Sequence, residues 1–220
     1  MITKFEHAKN LAPFDGQLHC VKAFYAQTDA DDIFKQLHTG LRWQSEQLFI
    51  YGRWLTVPRL MTWHGDEQAS YRYSGVTHQP LPWTPLLAHL RTDVEAVCQK
   101  VFNSVLANLY RDGRDSMGCH ADDEKELGQN PTIASLSFGE TRLLRFKHPD
   151  SGYKLDIELN NGDLLIMAGE LQHHWRHELP KTRKPKQARI NLTFRQISEF
   201  AENEKYPPQS KQRQKSTDQH

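Results

Sequence analysis

A histidine and a carboxylate stand two residues apart in the segment GCHADDEKEL, residues 118–127, at His120 and Asp122. In an extended segment both side chains would project from one face, because the side chains of a strand alternate between its two faces. Two histidines and one carboxylate on a common face are the ligand set of non-haem iron(II) oxygenases. The pair therefore indicates either half of a metal site or a polar turn, and a second histidine must come from elsewhere.

Histidines that could supply the missing ligand lie in LQHHWRHELP, residues 171–180: His173, His174 and His177. Another histidine–carboxylate pair, His64 and Asp66, lies between segments that are predicted to be extended. No later group of residues matches the spacing of this pair, and a chain with twelve histidines also forms such pairs by chance. We interpret His64 and Asp66 as unrelated to a metal.

The segment ARINLTFRQI, residues 188–197, predicts a strand with two chemically different faces. One face is apolar, and the other carries Arg189, Asn191, Thr193 and Arg195. Buried guanidinium groups are costly unless they are paired with anions, and their planar fork suits carboxylates. Two interpretations follow: ion pairs within the protein, or a dicarboxylic cosubstrate, 2-oxoglutarate, that binds iron at one end and arginine at the other.

The elements that must position these residues are mainly short strands. From residue 103 onward Gly, Asn, Asp and Pro signals separate seven predicted strands, and Asn161-Gly162 predicts a tight turn. The predicted strands are SVLANLY, IASLSF, RLLRFKH, YKLDIEL, DLLIMAG, HHWRHEL and ARINLTFRQI. Together with a helical layer they predict a mostly β fold with α-helices, built on a jelly-roll core (a double-stranded β-helix).

Two helices and two extended regions precede these strands. Residues 29–40 predict a short helix that Asp29 caps and Gly40 ends. A second helix is predicted after the cap Thr84, with Pro85 in its first turn and a buried apolar stripe formed by Leu86, Leu87, Leu90, Val94, Val97 and Val101. Residues 45–60 and 71–85 predict extended structure, because they are rich in aromatic and branched residues or in proline.

The overall composition limits the classes of protein to which the chain can belong. The charges nearly cancel, at 28 Lys and Arg against 27 Asp and Glu, although residues 180–220 carry ten basic and four acidic side chains. Basic clusters of this kind either meet phosphate backbones or form solvated loops. The three cysteines have no paired spacing, and neither a membrane-spanning run nor a secretory signal is visible. We therefore expect a cytoplasmic protein, nucleoid-associated in a bacterium or nuclear in a eukaryote.

Four motifs together resemble those of a known family: NLYRDGRDSMGCHADDE, ASLSFG, HHWRHELP and ARINLTFR. They are similar to the successive motifs of the AlkB family of iron(II)/2-oxoglutarate-dependent nucleic-acid dealkylases. The resemblance continues upstream through YGRWLTVPR and YRYSG, over residues 45–198, and is strongest to the duplex-DNA repair type. It implies oxidative demethylation of N-alkylated bases in DNA, of the 1-methyladenine and 3-methylcytosine type, by an Fe(II)/2-oxoglutarate-dependent dioxygenase that releases formaldehyde, succinate and CO₂.

The resemblance also implies roles for individual residues. The iron ligands would be His120, Asp122 and His177, with Arg189 as a further catalytic residue. The residues around 2-oxoglutarate would be Asn108, Tyr110, Arg189, Thr193 and Arg195. In this assignment Arg195 binds the distal carboxylate and Arg189 lies near the metal-bound end.

Substrate contacts are implied by the same comparison. A flipped base would stack between Tyr73 and His120, and the other substrate residues would be Tyr51, Gly52, Arg53, Tyr71, Arg72 and Asp123. For the tyrosines the alternative is ordinary strand packing. The segment KHPDSGYKLD is shorter and less basic than its counterpart in duplex-specific relatives, which leaves the preference for duplex over single strands open.

The resemblance suggests four consecutive regions: a lead-in (1–20), a helix with nucleotide-recognition hairpins (21–84), a helix with the jelly-roll catalytic core (85–198) and a polar, disordered tail (199–220). We expect a monomer whose partner is alkylated DNA, with RNA as the alternative, and no membrane. Two rival functions remain at this point. One is the same iron and 2-oxoglutarate chemistry on RNA or another substrate, and the other is a catalytically inactive nucleic-acid-binding β-domain.

Overall fold

The computed structural model describes residues 9–50, 53–69, 71–73 and 76–198. Within them the helices are α1 (Gln27–Gly40), α2 (Pro85–Cys98) and α3 (Leu171–His174), and a 3₁₀ turn covers Lys125–Leu127. The strands are β1 (Gln17–Val21), β2 (Gln44–Ile50), β3 (Arg53–Gly65), β4 (Tyr71–Tyr73), β5 (Val76–His78), β6 (Ser104–Tyr110), β7 (Met117–His120), β8 (Ile133–Gly139), β9 (Arg142–Lys147), β10 (Lys154–Leu159), β11 (Leu164–Ala168), β12 (Arg176–Leu179) and β13 (Arg189–Arg195). In this part of the chain no helix combines the length and apolar character that a membrane crossing requires.

Two antiparallel sheets form the body of the fold. The main sheet has seven strands in the order β1-β11-β8-β13-β6-β3-β2, and the minor sheet has four in the order β10-β9-β12-β7. Apolar side chains join the two sheets, including Leu18 and Leu165 of the main sheet and Phe146 and Leu159 of the minor sheet. This arrangement confirms the prediction of a mostly β fold with a jelly-roll core. The strands β4 and β5 form a separate two-stranded ribbon.

Helices α1 and α2 cover the outer face of the main sheet. Ile190, Leu192 and Phe194 of β13 are fully buried in the apolar cluster that these helices complete. Burial of each such side chain stabilises the fold by roughly 1.5–3 kcal/mol. A one-residue slip of β13 would instead bring its arginines into this cluster, so the apolar stripe fixes which side chains face the inside of the jelly roll.

The helix boundaries are mostly as predicted. Thr84 caps α2, since its hydroxyl oxygen accepts a hydrogen bond from the Leu87 N–H at 3.2 Å, and Pro85 is the first helical residue. Helix α1 ends at Gly40 but begins two residues before Asp29, so Asp29 lies in the first turn and is not the cap. Val101 was wrongly assigned to the buried stripe: it follows the end of α2 and is 66% exposed.

Three short elements differ from the prediction. Met117–His120 is a separate strand, β7, and the first two residues of HHWRHEL are helical, at the end of α3. Gln17–Val21, most of which was assigned to the lead-in, is β1 and pairs with β11 at the edge of the main sheet. Elements of four or five residues are too short to show a hydrophobic period, so tertiary pairing decides their structure.

The turn at Asn161-Gly162 is confirmed. Gly162 has φ +83°, and a Cβ at this position would collide with the carbonyl oxygen of Tyr25. Only glycine fits both the left-handed backbone and the close approach. The turn takes the chain from β10 of the minor sheet to β11 of the main sheet.

Candidate metal and cosubstrate site

The structure brings His120, Asp122 and His177 together between the two sheets. His120 ends β7 and His177 lies directly opposite it on β12, so that their ring centroids are 4.3 Å apart. Asp122 follows two residues after β7, and one candidate ligand atom from each residue lies within 4.8 Å of the other two. These residues come from separate segments, and antiparallel pairing of β7 with β12 is what makes them neighbours.

Both histidines can offer a ring-nitrogen lone pair to a metal. The Nδ1–H of His120 donates a hydrogen bond to the carbonyl oxygen of Gly118 at 2.8 Å, which leaves the lone pair on Nε2 free. His177 is buried, and burial together with the neighbouring His120 lowers its pKa to about 4. Its imidazole is therefore neutral at pH 7, as metal binding requires.

Asp122 is a buried carboxylate with one unused oxygen. Its Oδ1 accepts a hydrogen bond from Arg195 Nη2 at 2.7 Å, whereas its buried Oδ2 has no partner among the residues that the structure describes. Burial alone would raise the pKa of Asp122, but Arg195, His177 and His120 lower it below its usual value. An ionised, buried oxygen without a donor is unfavourable, and a cation bound by this oxygen and the two histidines would satisfy it. The donor set therefore fits a divalent transition metal.

A polar cavity continues from these three residues along the inner faces of β6, β8 and β13. Its walls include all eight residues predicted for the metal and the cosubstrate: Asn108, Tyr110, His120, Asp122, His177, Arg189, Thr193 and Arg195. On its floor Asn191 donates to Ser135 Oγ at 2.7 Å and accepts from Thr193 Oγ1 at 2.9 Å. Polar side chains on its walls are thus ordered by hydrogen bonds among themselves.

Two buried guanidinium groups give this cavity its positive charge. The Nε atoms of Arg189 and Arg195 are both buried without a hydrogen-bond acceptor among the described residues. Arg189 donates to Ser137 Oγ at 2.9 Å and lies over the ring of Tyr110. Burial lowers the pKa of Arg189 to about 10, so it remains charged at pH 7. Two unsatisfied donors on cations fit an anion with a carboxylate at each end, as in 2-oxoglutarate.

The structure places Arg195, and not Arg189, next to the residues predicted to bind the metal. Arg195 is bonded to Asp122 and therefore lies at the metal end of the cavity, whereas Arg189 begins the same strand, opposite Tyr110. This placement follows from the course of the chain, because β13 runs antiparallel to β6 and reaches Asp122 only at its last residue. The side-chain alternation of β13 indicated that both arginines share a face, but it contains no information about which end meets the metal.

The predicted substrate residues are described only in part. Tyr51 and Gly52 lie outside the described residues. Only the backbone of Arg53, at the start of β3, and of Tyr71, Arg72 and Tyr73, in β4, is described. Asp123 is exposed and follows Asp122 directly. The substrate roles of these residues stay predictions.

A second cavity, of about 410 Å³, adjoins the first at Leu106 and Arg195. Three carboxylates lie on its walls: Glu46 in β2, Glu124 after the metal-ligand segment and Glu126 in the 3₁₀ turn. Met61 and Trp63 of β3 contribute apolar surface. Sequence reasoning missed these residues as a group, because they come from separate segments of the chain and no periodic pattern connects those segments.

Two of the other histidines make contacts away from this site. His64 donates from Nδ1 to the carbonyl oxygen of Pro82 at 2.7 Å, and Asp66 accepts from the indole N–H of Trp83 at 2.7 Å. His173 contacts the backbone of Gln129. These contacts support the interpretation of the pair His64 and Asp66 as structural.

A further cluster, Asp15, His148 and His174, also places ligand atoms within 4.8 Å of one another. Its hydrogen bonds differ from those of His120. Nδ1 of His148 accepts a hydrogen bond from the Ser151 N–H at 3.2 Å, so in the neutral ring the proton is on Nε2, which donates to Asp15 Oδ2 at 3.1 Å. The nitrogen that faces the cluster therefore has no free lone pair, and the cluster does not fit a metal.

Comparison with known proteins indicates the family of this chain. Residues 17–195 match the model of the 2OG-Fe(II) oxygenase superfamily. The human protein named DNA oxidative demethylase ALKBH2 is 39% identical over 184 residues, which cover 79% of this chain and 70% of that protein. Bovine ALKBH2 is 39% identical, and the match covers 66% of its length.

Two further proteins extend the comparison. The bovine alpha-ketoglutarate-dependent dioxygenase alkB homolog 3 is 41% identical over 179 residues, which cover 77% of this chain and 62% of that protein. The chain thus spans about two thirds of the length of these relatives. The solved structure of OsALKBH1 covers 83% of this chain with a TM-score of 0.59 at 17% identity, a likeness that supports the fold alone.

Proposed function

This chain belongs to the AlkB family of the 2OG-Fe(II) oxygenase superfamily, and on that premise we propose that it demethylates N-alkylated bases of the 1-methyladenine and 3-methylcytosine type in DNA. Membership makes it a dioxygenase that uses iron(II) and 2-oxoglutarate. The observation that carries the proposal is the unpartnered Oδ2 of buried Asp122 beside two histidine rings, at one end of an arginine-containing cavity.

We assign the metal to His120, Asp122 and His177, and 2-oxoglutarate to the adjoining polar cavity. When bound, iron(II) and 2-oxoglutarate activate dioxygen to oxidise the N-methyl group, which leaves as formaldehyde, with succinate and CO₂ as the co-products. Three side chains of the site already have the protonation states that ligand binding requires. His177 is neutral, Asp122 is ionised, and Arg189 is charged.

The cosubstrate orientation follows from the two arginines. Arg195 is bonded to Asp122, so we propose that it lies beside the metal-bound end of 2-oxoglutarate. Arg189 then binds the far carboxylate, with help from the hydroxyl group of Tyr110. Burial raises the pKa of Tyr110, so its phenol keeps its proton and can donate to an anion.

The lesion enters, in this proposal, through the second cavity. Adenine methylated at N1 and cytosine methylated at N3 carry a positive charge at neutral pH, because the ring nitrogen has become quaternary. The carboxylates of Glu46, Glu124 and Glu126 suit such a cation, and Trp63 offers apolar surface to the ring. A base inside a duplex must first be flipped out, at a cost of a few kcal/mol, and stacking on Tyr73 would return roughly 1–3 kcal/mol of this.

Phosphate contacts are assigned to the loop before β13. Lys181, Arg183 and Lys184 are exposed and have no ion pair with any described residue, whereas Lys186 is paired with Glu140 at 2.8 Å. Unpaired cations that are close in the chain can bind the backbone of a nucleic acid without regard to sequence. This loop leads directly into the strand that carries the cosubstrate arginines.

A repair assay tests the proposal. Purified protein with iron(II), ascorbate and 2-oxoglutarate is given oligonucleotides that contain 1-methyladenine or 3-methylcytosine, as single-stranded DNA, duplex DNA and RNA. We expect one formaldehyde for each methyl group removed from DNA, and no turnover by His120→Ala. His173→Ala, which changes a histidine outside the site, is the matched control and should retain activity. Absence of demethylation on every DNA substrate, or full activity of His120→Ala, would contradict the proposal.

A further inference from the structure

The metal carboxylate is held by a segment without regular structure. Asp122 lies two residues beyond the end of β7, in an irregular stretch that precedes the 3₁₀ turn. Sheet hydrogen bonds therefore fix His120 and His177 but do not reach Asp122. Two side chains from distant parts of the sequence bond to Asp122 instead: Arg195 to its carboxylate and Gln172 to its backbone N–H.

Gln172 is placed for this contact with little freedom. Its side chain is buried, and its Oε1 accepts the hydrogen bond from the Asp122 N–H at 3.0 Å, across fifty residues of sequence. The amide nitrogen, Nε2, lies 3.4 Å from the thioether sulfur of Met167. A thioether is a weak acceptor and cannot donate, so the amide is oriented with its oxygen toward Asp122. Reversal of the amide would turn an N–H donor toward another N–H.

Gln172 also connects Asp122 with the second histidine. It lies in α3, which continues through Trp175 into β12, the strand of His177. Trp175 is itself buried between the sheets, so α3 has a fixed place relative to β12. A single amide thus ties the segment of the carboxylate to the segment of the histidine.

We propose that Gln172 is a positioning residue for the metal site: by accepting the Asp122 N–H it fixes the backbone from which the carboxylate reaches the metal. The inference rests on the proposed assignment of His120, Asp122 and His177 as ligands. Gln172 touches neither metal nor cosubstrate in this proposal and acts only through Asp122. Outer contacts of this kind typically change metal affinity by about 10–100-fold.

Metal binding by the full chain separates this role from simple core packing. Chelator-treated protein is titrated with Mn²⁺ in a calorimeter, and the unfolding temperature of the same metal-free samples is recorded. Gln172→Met keeps the length of the side chain but leaves the buried Asp122 N–H without an acceptor. Gln172→Glu keeps an oxygen acceptor at the same position. His173→Gln, next in α3 and directed toward Gln129, is the control.

We expect Gln172→Met to bind Mn²⁺ about 10-fold or more weakly than wild type, and Gln172→Glu to bind within about three-fold of it. His173→Gln should match wild type. If Gln172 only packs the core, Gln172→Met would lower the unfolding temperature of the metal-free protein but leave Mn²⁺ affinity unchanged, and that result overturns the inference.

The titration also distinguishes failure of this inference from failure of the proposed function. Asp122→Ala removes a ligand and should abolish the Mn²⁺ binding seen with wild type. If wild type binds no Mn²⁺, or if Asp122→Ala binds it equally well, the ligand assignment itself is wrong. If wild type and Asp122→Ala behave as expected but Gln172→Met binds like wild type, only the role of Gln172 is refuted.

Discussion

The direction of the hydrogen bond at one histidine ring distinguishes the two clusters that contain histidines. His120 donates from Nδ1 to a carbonyl oxygen and so presents a free lone pair, whereas His148 accepts at Nδ1 and presents a proton. The sequence predicted His120 from its spacing to Asp122, but it could not show this difference. The partners of the two rings, Gly118 and Ser151, are backbone groups, so no residue type in the sequence marks them.

At the same scale, replacing each of the two arginines should affect ligand binding differently. We expect Arg189→Ala to weaken 2-oxoglutarate binding by about 10–100-fold, because it removes hydrogen bonds to a charged group worth roughly 1.5–3 kcal/mol. Its Mn²⁺ affinity should be unchanged. Arg195→Ala should weaken both ligands, since Asp122 loses its charged partner. Calorimetric titrations of both variants check this, and loss of Mn²⁺ binding in Arg189→Ala alone would contradict the assigned orientation.

The lowered pKa of His177 makes the stability of the metal-free protein depend on pH. Burial lowers this pKa from 6.5 to about 4, so between these values the unfolded chain binds more protons than the folded one. The contribution to stability is therefore complete above about pH 6.5 and is lost as the pH falls toward 4. Urea unfolding in chelator should show a smaller loss of stability over this range for His177→Gln than for wild type. Equal pH profiles would show that His177 is not buried as a neutral ring.

Among the helices and strands, the longer ones could be predicted from the sequence and the shortest ones could not. The alternation in β13 and the apolar stripe of α2 span seven and fourteen residues, and both were predicted. Strand β7 has four residues without a buried face, and α3 has four residues, the last two of which were assigned to a strand. These two short elements carry His120 and Gln172, so the parts that complete the site are those that depend most on tertiary contacts.

Helix capping provides a matched pair of variants at this scale. Thr84→Ala should lower the free energy of unfolding by about 1 kcal/mol, because the first turn of α2 loses its side-chain acceptor. Asp29→Ala should cost only about 0.3 kcal/mol, from the helix dipole, since Asp29 makes no cap in α1. Chemical denaturation of both variants measures the difference. A larger loss for Asp29→Ala than for Thr84→Ala would restore Asp29 as the cap.

At the scale of the whole molecule, the jelly roll could be predicted from the sequence, because Gly, Asn and Pro residues between short strands favour an antiparallel β fold. The acidic cavity does not follow from the sequence. Its carboxylates, Glu46, Glu124 and Glu126, come from β2, which pairs with β3 at the edge of the main sheet, and from the segment around the 3₁₀ turn, and only the fold brings these segments together. No single motif or period connects the residues of such a surface.

The charge distribution over the whole molecule predicts the salt dependence of DNA binding. Replacing Lys181, Arg183 and Lys184 together by glutamine should weaken binding to every DNA sequence. It should also reduce the slope of log Kd against log salt by about 0.9 for each phosphate that the variant no longer neutralises. A double variant at exposed Lys35 and Lys100, Lys35→Gln with Lys100→Gln, is the control and should keep the wild-type slope. An unchanged slope in the triple variant would place the DNA elsewhere.

The convergence of three side chains on one ion is tested most directly by anomalous diffraction from crystals grown anaerobically with Mn²⁺ and 2-oxoglutarate. We expect one strong Mn peak within bonding distance of His120 Nε2, His177 and a carboxylate oxygen of Asp122. The far carboxylate of 2-oxoglutarate should lie against Arg189. A peak at His148 and His174 instead, or no peak between β7 and β12, would contradict the proposed metal site.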